Sequence, residues 1–286
     1  MDLYSLEVFL AVAESQSFSG AAERLRLTQP AVSKRIMTLE DSLDTRLFDR
    51  LGRQVCLTQA GQALVPRAQR ILEEVADSQR VIANLSGHVR GPLKVGISHH
   101  IGLKRLPPIL KRFARDYPEV ELDLEFLESE QSWRGVVTGQ FEIAIVTLPP
   151  TTTSQMAART LWTDKMVVVV DSNHSLAKRR SVSLTTLCEH PAVLPSPATI
   201  TRQLIDHAFG ANRPTVRMEA AQLTSLKMLV NAGLGWSVLP QTMVDADLVV
   251  LNTSEMRLAR RLGAIWHQQR TLSKAAEALL ELCAAG

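Results

Sequence analysis

The clearest pattern of apolar and polar positions lies between residues 17 and 40, and it predicts two short helices around a tight turn. Ser17 can cap the first helix, whose apolar positions are Phe18, Ala21, Ala22 and Leu25. Thr28 can cap the second, and Pro30 falls in its first turn, where a missing N–H costs nothing. One face of that helix carries Val32, Ile36, Leu39 and Leu43, and the other carries Gln29, Ser33, Lys34 and Met37. This is the sequence form of a helix-turn-helix, whose second helix enters the DNA major groove.

The flanking residues extend this motif into a small domain. A first helix is predicted from Leu3 to Glu14, and its buried stripe is Leu6, Phe9, Leu10 and Ala13. Short strands at Phe48, Val55 and Leu57 would turn around Leu51-Gly52 and form a wing, with Phe48 in the core. We therefore expect a winged helix-turn-helix domain over residues 1–58.

A long helix is predicted from Thr58 to about Leu85. Its apolar seam alternates spacings of four and three at Leu64, Ala68, Ile71, Val75, Ser78, Ile82 and Leu85. Such a helix spans about 40 Å at 1.5 Å per residue, too long to bury itself on a small domain, so we interpret it as a parallel or antiparallel dimerisation helix. The residues expected at that contact are Leu64, Ile71, Val75, Ile82 and Leu85. Packing on its own chain is the alternative, and Pro66 should kink or loosen the helix near its start.

Residues 86–92, SGHVRGP, have the composition of a hinge, and strands and helices alternate beyond them. The alternation favours parallel α/β layers. The predicted strands are Leu93–Ser98, Glu121–Leu127, Glu142–Thr147, Met166–Val170, Ala192–Leu194, Val216–Glu219, Trp236–Leu239 and Gly263–His267. Helices are predicted at about 103–115, 131–138, 200–209, 222–232 and 273–283.

The first part of the chain resembles the LysR-type transcriptional regulators. The resemblance rests on QPAVSK within the helix-turn-helix and on LFDRLGRQVCLTQAG at residues 47–61, which is similar to the family's wing and the start of its linker helix. Both parts stand in order at the N-terminus. The resemblance implies a sequence-specific transcriptional regulator that binds double-stranded promoter DNA.

The second half resembles the effector domain of the same family, which is similar to periplasmic solute-binding proteins. NAGLGWSVLP at residues 231–240 is similar to the family's AGxGxxxLP element, in which Gly233 and Gly235 would allow a tight helix-to-strand turn. The resemblance implies an α+β multidomain protein: a winged head (1–58), a linker helix with hinge (59–91) and an α/β effector domain (92–286). That domain would divide into subdomain I (about 92–162 and 266–286) and subdomain II (about 163–265), with a small-molecule effector between them.

Composition narrows the class of protein. Net charge is +3, but residues 1–58 hold seven Lys/Arg against eight Asp/Glu, so contacts to phosphate would depend on local clusters. Three widely spaced cysteines without a CxxC or Cys/His pattern argue against disulfide or zinc scaffolds. Apolar runs are too short to span a bilayer and no secretion signal is evident, which predicts a cytoplasmic protein without membrane contact. No GxSxG, phosphate-loop or HExxH motif indicates an enzyme.

The residues expected to contact DNA follow from the exposed positions and the resemblance. They are Ser17, Ser19, Gln29, Pro30, Ser33, Lys34, Arg35, Arg50 and Arg53, around the motif Phe18 to Met37. Lys34 stands where many relatives carry arginine, and lysine cannot form the same two hydrogen bonds to guanine. Capping is an equal alternative for Ser17, and a solvated hairpin is the alternative for Arg50 and Arg53.

The residues expected to contact the effector lie in loops between strands and helices, where free backbone N–H groups can hold an anion. They are Ser98, His99, His100, Ser129, Thr147, Ser196, Thr199, Thr201, Arg202 and Trp236. Thr199, Thr201 and Arg202 would suit a carboxylate or similar small anion. Trp236 is larger than the usual family residue there, so ordinary core packing is its equal alternative.

Three other functions compete with this interpretation. The His99-His100 pair has no further ligand at metal spacing, and adjacent histidines on an extended segment point to opposite sides, so neither a metal nor another cofactor is expected. A member of the family uses two nearby cysteines to sense oxidation, whereas Cys188 and Cys283 are far apart in sequence. A solute-binding protein would explain only residues 92–286. The expected partners are promoter DNA, the effector, a second copy in a dimer or tetramer, and RNA polymerase where the protein activates.

Replacing Arg53 with alanine should weaken binding to all DNA sequences alike. Loss of one phosphate contact should lower the slope of log K against log salt by about one unit. Gel-shift titrations at several salt concentrations measure this slope, and an unchanged slope would remove Arg53 from the interface.

Overall fold

The computed structural model describes residues 1–51, 54–253 and 258–285, and the chain forms two compact units, residues 1–87 and 88–286. The first unit consists of α1 (Leu3–Ser15), α2 (Phe18–Leu25), α3 (Gln29–Leu43), β1 (Phe48–Leu51), β2 (Gln54–Leu57) and α4 (Gln59–Leu85). β1 and β2 pair antiparallel as a wing, Phe48 opposite Leu57. The predicted winged helix-turn-helix followed by a long helix is confirmed.

The core of the winged domain centres on aromatic side chains of three elements. The ring of Phe48 lies 5.4 Å from that of Phe9 and 5.8 Å from that of Phe18, which confirms Phe48 as a core residue. The buried stripe of α1 is broader than predicted, since this helix packs against α2, α3 and α4. Val8, Ala11 and Val12 are buried there, whereas Leu10 and Ala13 are only half-buried.

α4 begins in close contact with the wing and ends exposed. A Cβ on Gly61 would lie 2.2 Å from the carbonyl oxygen of Leu47, so only glycine allows this approach. The helix is continuous through Pro66. Leu64 packs on the core of its own winged domain, which differs from its predicted place at a dimer contact. Ile71, Ile82 and Leu85 are 36%, 68% and 83% exposed in the single chain and therefore remain open to a partner.

The second unit is built on one mixed seven-stranded sheet and a smaller parallel pair. Its strands are β3 (Gly91–Ser98), β4 (Val120–Leu127), β5 (Ile143–Thr147), β6 (Met156–Asp171), β7 (Pro191–Pro195), β8 (Thr215–Ala220), β9 (Ser237–Pro240), β10 (Leu248–Val250) and β11 (Leu258–His267). The large sheet has the order β10-β6-β11-β5-β3-β4, with β9 also on β6, and β7 pairs with β8. Parallel pairing within it is limited to β3 with β4 and β5, because β11 pairs antiparallel with both β5 and β6. The predicted α/β architecture is confirmed, and its large sheet is mixed, whereas the alternation of elements favoured parallel layers.

Seven helices cover the described parts of these sheets. They are α5 (His99–Lys104), α6 (Leu106–Asp116), α7 (Ser129–Thr138), α8 (Leu184–Cys188), α9 (Ile200–Phe209), α10 (Leu223–Asn231) and α11 (Lys274–Ala285). A single helix was predicted at 103–115, but two are present. The His99-His100 pair begins α5 and is not extended as expected. α8 and β10 were not predicted. None of the described helices combines the length and apolar character needed to cross a membrane.

Two long strands connect two separate hydrophobic cores. Trp162 of β6 packs with the core of β3 and β5, whereas Met166 packs with that of β7 and β9. Leu258 and Leu262 of β11 divide between the same two cores. β6 and β11 therefore pass together from one subdomain to the other, with Asp164 paired opposite Arg260 at the crossing. The return crossing comes earlier than the position near Ile265 expected from sequence.

Candidate DNA interface and ligand cleft

The predicted DNA-reading positions lie on the open face of α3. Gln29, Pro30, Lys34 and Met37 are exposed, and Gln29 Nε2 donates to Ser33 Oγ at 3.1 Å. Beside them an open groove of about 1300 Å³ runs between α3 and the start of the wing. The N-terminal half of α3 therefore presents its polar side chains outward, as a helix in a major groove requires.

Two other predicted DNA contacts have partners within the domain. Ser17 Oγ accepts from the backbone N–H of Gly20 at 3.1 Å, which is the capping alternative, while Ser19 is exposed. Arg35 lies over the ring of Tyr4, 4.5 Å from its centroid, and pairs with Asp2 at 3.4 Å. Its guanidinium thus connects α3 to the start of α1.

The wing is positioned by a residue that sequence reasoning missed. Glu40 of α3 accepts hydrogen bonds from the backbone N–H groups of Leu47 at 2.7 Å and Phe48 at 3.2 Å. These bonds fix the entry of β1 relative to the recognition helix. Arg53 and the side chain of Arg50 lie outside the described residues, so their DNA contacts remain predictions.

A small cleft between the two subdomains gathers most of the predicted ligand residues. Its cavity measures about 30 Å³, enough for about two water molecules. The predicted residues that line it are Ser98, His99, His100, Ser129, Thr147, Thr199 and Thr201. Glu128, Glu130, Gln222 and Arg260 also line it and were not among the residues predicted to contact the effector.

Hydroxyl groups and helix starts form the two walls of the cleft. On one wall, Ser98 and Ser129 share a hydrogen bond between their Oγ atoms at 2.6 Å, and Ser129 Oγ accepts from the Thr147 N–H at 3.1 Å. On the other wall, Thr199 caps α9 by accepting from the Arg202 N–H at 3.2 Å. Residues at the starts of α7 and α9 therefore line the same cavity, and helix starts favour anions.

Arg260 forms the cationic floor of the cleft. It is 1% exposed, and its Nη2 donates to Asp164 Oδ2 at 2.9 Å across the antiparallel strands. Nη1 donates to Thr201 Oγ1 at 3.3 Å, while Nε has no partner among the described residues. Burial lowers the pKa of the guanidinium and Asp164 opposes that effect, so Arg260 keeps its charge. An unpaired, buried Nε–H suits an acceptor oxygen supplied by a ligand.

His100 stands beside Arg260 as a neutral group. Burial, followed by the charges of Arg260 and His99, holds its pKa well below 6.5. Its Nε2 is buried and also lacks a partner among the described residues. A neutral imidazole can donate or accept one hydrogen bond there, which adds a second open polar atom to the cleft.

Glu130 lines the cleft and forms a hydrogen bond from one subdomain to the other. Its Oε1 accepts from the backbone N–H of Ile200, the first residue of α9, at 2.7 Å. This contact joins the start of α7 in one subdomain to the start of α9 in the other. A carboxylate of the chain itself therefore occupies the position where a helix start favours an anion.

Three predicted effector residues lie elsewhere. Trp236 is fully buried against Phe209 and donates to the carbonyl of Leu187 at 2.8 Å, so its core alternative is the correct one. The guanidinium of Arg202 is held by Asp206 and Glu219 at 2.9 Å each and is not free for a ligand. Ser196 does not line the cavity; its N–H donates to the carbonyl of Ala220.

Comparison with known proteins agrees with this arrangement. The sequence model of the LysR substrate binding domain matches residues 86–286, and that of the bacterial regulatory helix-turn-helix protein, lysR family, matches residues 3–62. The chain belongs to the LysR family of transcriptional regulators. It is a DNA-binding regulator with an effector-binding domain of two α/β subdomains, and its relatives are regulators rather than enzymes.

The individual relatives span different parts of the chain. An uncharacterized HTH-type transcriptional regulator in the ibpB-leuC intergenic region of Azotobacter vinelandii is 64% identical over 108 residues, 38% of this chain and 75% of that protein. The RuBisCO operon transcriptional regulator of Allochromatium vinosum is 28% identical over 98% of this chain and 95% of its own. A cysteine-to-aspartate variant of full-length OxyR from Pseudomonas aeruginosa has a TM-score of 0.73 at 25% identity, over 99% of this chain and 94% of its own.

Cys188 and Cys283 of this LysR-family regulator do not form a redox pair. Cys188 packs with the core of β7 and β9, whereas Cys283 packs with that of β3 and β5. Burial raises the pKa of Cys188, and it raises that of Cys283 to about 12. Reactive cysteines have lowered pKa values, so neither thiol is activated. Among residues 1–51, 54–253 and 258–285, no group of three or more His, Cys, Asp or Glu side chains could hold a metal.

Replacing His100 with glutamine should flatten the pH dependence of stability in the effector unit. The folded-state pKa of His100 lies below its unfolded value of about 6.5, so its contribution is present above that pH and is lost as pH falls. All four tryptophans belong to this unit, so tryptophan fluorescence reports its melting temperature. The difference in melting temperature between wild type and variant should shrink from pH 7 to pH 5.

The exposed residue His88 supplies the control, because His88→Gln should leave the pH profile unchanged. A His100→Gln profile parallel to that of wild type would show that His100 is not held neutral by its surroundings.

Proposed function

We propose that this regulator responds to a small effector bearing a carboxylate or similar anionic group, bound between its subdomains. The observation that carries the proposal is Arg260, a buried cation that lines the cavity and whose Nε has no partner among the described residues. Further donors are the hydroxyls that line the cavity on Ser98, Ser129 and Thr147, together with the Ile200 N–H once its contact with Glu130 is displaced. Together they match the needs of an oxyanion, which accepts hydrogen bonds only.

The effector would act by changing the relation between the two subdomains. The cavity has room for about two water molecules, so a ligand must displace the contact between Glu130 and Ile200. β6 and β11, which carry Asp164 and Arg260 at the crossing, form the hinge for that change. In a dimer or tetramer, the change would alter the spacing of paired DNA-reading heads and hence DNA bending.

Assembly and partners complete the proposal. The exposed apolar side chains along α4, including Ile71, Ile82 and Leu85, support pairing through this helix, and we favour a tetramer built from two dimers. Binding to promoter DNA would put the protein in the cytoplasm. RNA polymerase would be its partner wherever it activates transcription.

The test is a thermal-shift screen of the full-length protein with acetate, pyruvate, succinate, sulfate and phosphate. Any of these that enters the cleft raises the melting temperature by mass action. Thr147→Val keeps the shape of the side chain but removes its hydroxyl, and it should weaken binding of that ligand by about tenfold. The exposed Thr151 supplies the matched control, Thr151→Val, which should leave the affinity unchanged.

The same ligand should change the footprint and bend of the chain's own upstream DNA. A melting shift that is insensitive to Thr147→Val would place the ligand outside the cleft. A tight ligand that leaves the footprint and bend unchanged would refute the coupling.

A further inference from the structure

Two acidic side chains line the same cleft as Arg260 and have no cation of their own among the described residues. Glu128 precedes α7 and Glu130 lies in its first turn. Neither forms an ion pair within that part of the chain. Burial raises the pKa of Glu128, and the charge of Glu130 raises it further. Glu128 accepts from the backbone at the start of α7 and Glu130 accepts from the Ile200 N–H, so both carboxylates have backbone partners but no ion pair within the described residues.

A ligand carboxylate can displace Glu130 from its hydrogen bond across the cleft. It accepts from the Ile200 N–H at the start of a ten-residue helix, a position that favours any carboxylate. A ligand carboxylate that takes this position releases the carboxylate of Glu130 into the cleft next to Glu128. A simple anion would then face two acids at close range, which opposes its binding.

Two buried atoms independently indicate that a ligand completes this site. Arg260 Nε and His100 Nε2 both lack partners among the described residues, and both residues line the cavity. Arg260 needs an acceptor, whereas the neutral imidazole of His100 does not repel a cation. One ligand must therefore satisfy a cationic floor and an acidic wall within a compact space.

We propose that the effector is a compact zwitterion of the α-amino acid class. Its carboxylate binds Arg260 Nε and the N–H groups that begin α9, and its ammonium group donates to Glu128 and Glu130. Three ammonium N–H donors and acceptor-only carboxylates are complementary, and the ligand adds no net charge to the cleft. The inference rests on the proposed binding of a carboxylate in this cleft and names the class of molecule that supplies it.

The experiment measures melting temperatures of the full-length protein with each standard L-amino acid. For each one that stabilises the protein, the deaminated acid and the decarboxylated amine with the same side chain are compared by titration. At least one amino acid should raise the melting temperature, and both analogues should bind at least about tenfold more weakly. Glu130→Gln should weaken binding of the amino acid by about tenfold, because the contact with the ammonium group is lost. Binding of the deaminated acid, which has no ammonium group, should not change.

Glu121→Gln supplies the matched control, since Glu121 is an exposed acid on β4 and does not line the cavity. It should leave both affinities unchanged. The proposal of a zwitterionic effector is overturned by any of three results. They are that no amino acid stabilises the protein, that the deaminated acid binds as tightly as the amino acid, or that Glu130→Gln weakens the binding of both ligands equally. Stabilisation by simple acids alone would retain the proposed function, whereas failure of acids and amino acids alike would overturn both.

Discussion

The pairing of Asp164 with Arg260 is the interaction on which the cleft depends. These residues lie opposite each other where β6 and β11 cross between the two cores, and both are almost fully buried. Burying two charges costs several kcal/mol per ion and is repaid only by good geometry and further hydrogen bonds. Asp164 receives a second guanidinium, that of Arg105 at 3.3 Å. The charge of Arg260 is therefore compensated although its Nε has no partner among the described residues.

The winged domain and the effector unit rely on different physical interactions to recognise their partners. The winged head has about as many acids as bases, so a single head relies on shape and on a few side chains of α3. In the proposed oligomer, affinity would come from pairing two heads, and the exposed apolar side chains at the end of α4 would support that pairing. The effector unit, in contrast, depends on buried charge, and its cavity is closed by a contact between its own subdomains.

Sequence patterns predicted the features that arise from local spacing. The turn around Arg26, the start of α9 after Thr199, and the glycines at 233 and 235, which adopt positive φ, are all readable within a few residues. Arg260 and Glu130 were not among the predicted effector residues because their environment comes from partners 96 and 70 residues away. The first half of β6 was missed because half-exposed, mixed side chains there form no apolar run. Trp236 was left open because size alone does not tell a core residue from a cleft residue.

The central claim is that Arg260 serves the ligand and not only the fold. Its most direct test is the double variant Asp164→Leu with Arg260→Met, which replaces the ion pair by apolar groups of similar size. Such exchanges are often neutral or stabilising, whereas Arg260→Met alone should cost about 3–5 kcal/mol because it removes one partner of a buried pair. The double variant should keep a melting temperature close to that of wild type and lose its stabilisation by the acid or amino acid that stabilises wild type. A double variant that folds and is stabilised as strongly as wild type would contradict the account.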